Sequence, residues 1–136
     1  MRLSATDLSD DQMCFVCGSK NTLGLRMDWK SNGKETVAEF VAPKHLQGWK
    51  DILHGGIIAT LLDEAMTRLI WEHVGPAVTA EMTVRYLAPA MIGEKFTVRG
   101  EIVDASKKLV SAKAEMIRED GVAVARAEGK TIRLSR

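Results

Sequence analysis

The stretch from His54 to Glu72, HGGIIATLLDEAMTRLIWE, constrains the fold of this chain more than any other. Ile57, Ile58, Leu61, Leu62, Ala65 and Leu69 recur at helical spacing and, at about 100° per residue, fall on one broad apolar face. All three prolines lie outside the stretch, and its two glycines, Gly55 and Gly56, stand where a helix begins. The spacing therefore predicts one buried helix of about five turns.

Two features of that helix go beyond packing. At its start, His54-Gly55-Gly56, backbone free of side chains coincides with the first N–H groups, which have no intrahelical acceptor. An oxygen can approach them closely, and the positive end of the helix dipole favours a developing negative charge. Further along, Asp63 has Ala59, Met66 and Ile70 on its side of the helix, and a carboxylate in apolar company has either a partner or a task. Each feature has a plain structural explanation. A glycine pair makes a tight turn into a helix, and Arg68 or Lys50 can pair with Asp63. Together they form the parts of an acyl-transfer site, an oxyanion pocket and a base or nucleophile.

The chain has 136 residues, the size of one domain. Nineteen Lys and Arg against 18 Asp and Glu leave a net charge of +1, so no bulk field draws nucleic acid or an anionic membrane. No apolar run approaches the ~20 residues of a membrane span. The opening MRLSATDLSDDQ has no apolar core of a secretory signal, and the expected location is cytoplasmic. Cys14 and Cys17 form a CxxC followed by Gly18, Ser19, Lys20 and Asn21. A zinc site needs about four ligands and no second CxxC or HxxxH is present, while the redox motif normally opens a helix. The favoured reading is a structural loop, with a metal shared across a symmetric interface and a redox pair as alternatives.

Residues 1–21 read as an N-terminal arm with one short helical turn and the CxxC loop, and 22–136 as a single domain. LGLRMDWK, residues 23–30, alternates with Leu23, Leu25, Met27 and Trp29 on one face and reads as a strand, turning through Ser31–Lys34 into a partner at 37–41. Pro43–Ile52 is a loop before the helix, Gly75-Pro76 ends the helix, and 78–87 alternates as a strand with Thr79, Glu81, Thr83 and Arg85 on one face. Strands at 96–103, 109–118 and 122–134 follow, the last with Ala123, Ala125 and Ala127 leaving room for close packing. His73 suits the negative helix end, and Trp29, Trp49 and Trp71 read as packing anchors, Trp49 bordering the loop before His54.

The order β-β-α-β-β-β-β makes this an α+β chain in which an antiparallel sheet wraps one long central helix. One helix cannot cover both faces of such a sheet, so a homodimer is expected, with a tetramer as a dimer of dimers the further step.

HGGIIATLLDEAM, together with CFVCGSKNTLGL and VTAEMTVRYLAPAMIGE, resembles the signature of the PaaI-like hotdog thioesterases, most closely the branch of THEM4-type acyl-CoA thioesterases. The resemblance covers residues 14–134 and implies the hotdog fold and acyl-CoA as substrate. Carried over by position, it implies Asp63 as general base or nucleophile and the Gly55 N–H as donor to the thioester carbonyl. It also implies that His54 fixes the loop and carbonyl, and that Thr79 orients the attacking water. By family analogy Asp63 comes from one subunit and His54-Gly55 from the other.

The sequence departs from the family at Gly48, where many relatives carry Asn or Gln as a second carbonyl donor; Gln47 stands beside it. Gly56, Gly48, Gln47, Met66, Ile70 and Arg85 are the candidate substrate-binding residues, Met66 and Ile70 lining an acyl site. Arg85, Lys95 and Arg99 are candidates for the coenzyme A phosphates. No metal or redox cofactor is implied. The alternatives are a non-catalytic acyl-CoA binder and a hydratase or dehydratase pairing His45 with Asp63 or Glu64.

Overall fold

A computed structural model describes residues 3–135. The apolar stretch forms α1, Gly55–His73, whose side chains Ile58, Leu61, Leu62, Ala65, Met66, Leu69 and Ile70 are buried. It ends where Val74 N–H and Gly75 N–H both donate to Ile70 O, with Gly75 at φ +128°, a conformation glycine adopts freely. Before α1 come β1, Lys30–Ser31, and β2, Glu35–Val41. After it come β3, Ala77–Tyr86; β4, Lys95–Ala105; β5, Leu109–Arg118; and β6, Ala123–Arg133. All six form one antiparallel sheet in the order β1-β2-β4-β5-β6-β3, so β3 closes one edge with no neighbour on its outer side among the described residues.

The helix packs across one face of this sheet, against Phe40, Phe96, Val98, Val110, Met116, Val124 and the alanines 125 and 127. At Gly100 the helix comes so close that an added Cβ would collide with the Ala65 carbonyl, so β4 must carry glycine there. The opposite face is charged and laddered across strands, with Arg99 between Glu35 and Glu115, and Lys113 paired with Glu101.

Residues 23–30 are not the expected strand. Arg26 has φ +51°, which breaks extended pairing, and Leu23 is 86% exposed. Met27 and Trp29 are nevertheless buried, and Phe15 O and Val16 O accept from Leu25 N–H and Met27 N–H. The alternation holds as burial from Leu25 on but not at Leu23; the backbone partner is the CxxC loop, and only Lys30 and Ser31 pair with β2. The turn at 31–34 is present, with Gly33 at φ +87° and Asn32 Oδ1 accepting from Lys34 N–H and Glu35 N–H. The arm holds one short turn, Ala5–Asp7.

The single-face reading of β3 also fails, and the cause is a bulge. Thr79 pairs with Thr131 but Glu81 pairs with Lys130, so Ala80 is an extra residue. Because directly opposed residues share a face, Thr79 lies with buried Thr131 on the helix side, while Glu81, Thr83 and Arg85 lie on the outer side. Met82, Val84 and Tyr86 then face the helix side, opposite Gly129, Ala127 and Ala125.

Candidate active site

The start of α1 can be accounted for donor by donor. His54 is the N-cap: its Nδ1 accepts from Gly56 N–H at 2.8 Å, and its carbonyl accepts from Ile57 N–H and Ile58 N–H. Of the four orphan donors of the first turn, Gly56 N–H and Ile57 N–H are thus taken up by His54, and His54 N–H itself donates to Leu46 O. The fourth, Gly55 N–H, has no acceptor among the described residues. An accepting Nδ1 places the imidazole proton on Nε2, so His54 presents a further donor. On the other side of the glycine, Tyr86 Oη donates to Gly55 O at 2.8 Å, and the ring would touch any side chain placed at 55.

These groups line a cleft of about 880 Å³ together with Gln47, Gly48 and Trp49. Gln47 Oε1 accepts from Asp51 N–H at 3.0 Å, which supports the left-handed Asp51 at φ +63°. Gly48 lies against His54, where an added Cβ would meet the ring and Cα at ordinary contact distance. Trp49 borders the cleft but is 84% exposed and anchors no core; Trp71 is 44% exposed, and only Trp29 of the three is buried.

Asp63 is half-buried on α1, and Thr79 Oγ1 donates to its Oδ1 at 2.8 Å. This contact exists because the bulge at Ala80 turns Thr79 inward, and it fixes the carboxylate at the edge strand of the sheet. Neither cation considered as a partner is engaged with it: Arg68 pairs with Glu72 one turn on, at 3.3 Å. Met66 and Ile70, expected to line an acyl site, are 2% and 0% exposed within the core. Met66 instead packs over Gly129 of β6. Arg85 lies on the outer face of the sheet opposite Arg126. Of the other two candidate phosphate ligands, Lys95 pairs with Glu39 at 3.3 Å and Arg99 with Glu35 at 3.3 Å.

Sequence reasoning missed Tyr86, and named Glu64 only as an alternative partner of His45. Alternation already puts Tyr86 on the face opposite Arg85, where it lies, and an aromatic hydroxyl ending a strand before a loop was a usable signal. Glu64, the residue after Asp63, points to the other flank of α1, where its carboxylate and the Cys14 and Cys17 sulfurs lie within 4.8 Å of one another. Both cysteines are free thiols. Burial foremost, and then the Glu64 carboxylate, push the Cys17 thiol up to about 12, far from the thiolate character of a redox motif. Glu64 is turned away from any pairing with His45, which is exposed on the short helix Lys44–Leu46.

Residues 50–125 match the family described as the thioesterase superfamily. Mouse acyl-coenzyme A thioesterase 13 is 35% identical over 66 residues, 47% of this chain and 47% of that protein. The chain thus spans about half the length of the curated relatives it matches. Among solved structures, the Escherichia coli PaaI protein from the phenylacetic acid degradation operon superposes with a TM-score of 0.75 at 22% identity, covering 80% of this chain and 84% of that one. A Streptococcus mutans protein solved bound to acetyl-CoA gives 0.73 at 21% identity, covering 81% and 90%. The architecture of these neighbours is the hotdog fold expected from the sequence, with six antiparallel strands and one long helix.

Proposed function

Because the chain belongs to the thioesterase superfamily, we propose that it hydrolyses the thioester of an acyl-coenzyme A to the free acid and coenzyme A. The observation that carries this reading is the Asp63–Thr79 pair, a half-buried carboxylate with one oxygen held by a hydroxyl and the other left to take a proton. Water attacks the thioester carbonyl carbon as Asp63 accepts its proton. The carbonyl oxygen becomes an oxyanion that meets the open Gly55 N–H at the positive end of α1. Collapse breaks the carbon–sulfur bond, and the departing thiolate takes the proton from Asp63. Thr79, whose hydroxyl is engaged with Asp63, acts by aiming the carboxylate.

Gly55 and Asp63 stand eight residues apart on one helix, a rise of about 12 Å at 1.5 Å per residue. One thioester cannot meet both within a single chain. The site is therefore completed by a second copy, which supplies His54-Gly55 to the first copy's Asp63 across the unpaired edge of β3. The cleft beside His54, with Trp49, Ile52 and Leu87 among its apolar walls, receives the apolar part of the substrate. The curated relative's name and the acetyl-CoA bound to the Streptococcus mutans neighbour support this substrate class.

The test is release of free thiol from short-, medium- and long-chain and aryl acyl-CoAs by the native protein and by Asp63→Asn, alongside light scattering of both. Turnover by a native dimer that collapses in a dimeric variant is the expected result. Native protein that binds acyl-CoA and releases no thiol is a binder, and the hydrolase reading fails. A single turnover in 18-oxygen water tests the nucleophile role: label in the Asp63 carboxylate means an acyl-Asp63 anhydride that water opened at the Asp63 carbon.

A further inference from the structure

We propose that Cys14, Cys17 and Glu64 bind a divalent metal ion of the zinc class, which fastens the N-terminal arm to the middle of α1. The sequence offered two ligands in a loop, and the fold brings a third to them across 47 residues of chain: one donor atom from each lies within 4.8 Å of the other two. A tetrahedral ion with bonds of about 2.3 Å to sulfur places its sulfurs about 3.7 Å apart, so only small side-chain adjustments close the site.

The loop is shaped for this task. Val16 N–H donates to Cys14 Sγ at 3.4 Å and Gly18 N–H to Cys14 O at 2.9 Å, a turn that aims both sulfurs to one side. Any side chain at Gly18 would run into the Cys14 backbone. Glu64 has no ion pair among the described residues, and the nearest cation on its own helix, Arg68 at i+4, is turned to Glu72. Among the described residues this half-buried carboxylate, facing two sulfurs, has no positive partner. All three ligands border a cleft that also carries Asp7, Asp10, Asp11 and the Arg68–Glu72 pair, a net acidic setting that favours a cation.

Two sulfurs and one carboxylate suit zinc better than magnesium or calcium, which prefer all-oxygen sites. On binding, each thiol loses its proton to solvent, two metal–sulfur bonds and one metal–oxygen bond form, and no electron changes hands. The proposal stands apart from the hydrolase reading, since the ligands face the arm and Asp63 faces β3.

The test is titration of the full, phosphine-reduced chain with Co²⁺, followed by displacement with Zn²⁺. One equivalent of Co²⁺ showing a thiolate charge-transfer band and intense tetrahedral bands is expected, bleached by Zn²⁺. Cys14→Ser and Cys17→Ser should abolish the band, and Glu64→Gln, a near-isosteric change that keeps the fold, should weaken binding by at least about tenfold. Zinc should raise the Tm of the native chain and leave that of Glu64→Gln with little rise. Native protein with no thiolate–cobalt band, or whose two thiols disappear into a disulfide, overturns the site. Unchanged affinity in Glu64→Gln also overturns it.

Discussion

Asp63 and Glu64 are neighbours on one helix, both half-buried carboxylates, and they face different worlds. Asp63 points to the edge strand, where Thr79 donates a hydrogen bond to one of its oxygens and leaves the other available. Glu64 points to the N-terminal arm, where two thiols converge on it and, among the described residues, no cation pairs with it. Consecutive residues on a helix are about 100° apart, so one step along the chain moves a side chain from one packing partner to another. The chemistry of each acid is therefore set by the element packed on its flank.

Exchanging each acid for its amide is the sharpest way to break the comparison. Asp63→Asn removes the proposed base and should lower thiol release by about 10²–10⁴-fold without changing the mass in light scattering; Glu64→Gln should leave kcat little changed. Equal losses from both would mean that the two flanks are not separate. Thr79→Val should come next, because a hydrogen bond to a charged group is worth about 1.5–3 kcal/mol, on the order of tenfold or more in kcat. Its signature is a loss that Thr79→Ser largely restores, read from initial rates.

On the arm flank, Cys14→Ser should cost stability rather than turnover, seen as a Tm that no longer rises with zinc. Tyr86→Phe tests the helix start and should show the smallest effect. It removes one half-exposed hydrogen bond to Gly55 O, worth about 1 kcal/mol, so kcat/KM should fall by less than about tenfold. A larger loss would mean that Tyr86 positions the open Gly55 N–H more tightly than one bond implies.

Much of this was legible from residues. The buried helix runs Gly55–His73 where the apolar spacing placed it, because a period of 3.6 over nineteen residues has no competing solution. The motif containing His54, Gly55 and Asp63 was recognisable for the same reason, all its members lying on one continuous element. Strand positions were legible wherever hairpins join neighbours, as at 109–118 and 123–133.

What the sequence left open depends on which side a residue faces and what meets it there. Alternation assigned Thr79 to the face of Glu81, but one extra residue at Ala80 reverses the parity, and nothing in VTAEMT marks it. Met66 and Ile70 share the Asp63 side of the helix by spacing, yet the sheet closes over both. The cysteines showed two ligands and no more, since Glu64 reaches them only through folding. The sequence by itself determined the helix and its hairpin-joined strands, set by short-range periodicity, and placed the two ends of the candidate motif on one element. Only the tertiary structure decided that Asp63 meets Thr79, that Tyr86 meets Gly55, and that Glu64 meets the thiols. Those meetings depend on register and packing between segments far apart in the chain, which no local pattern encodes.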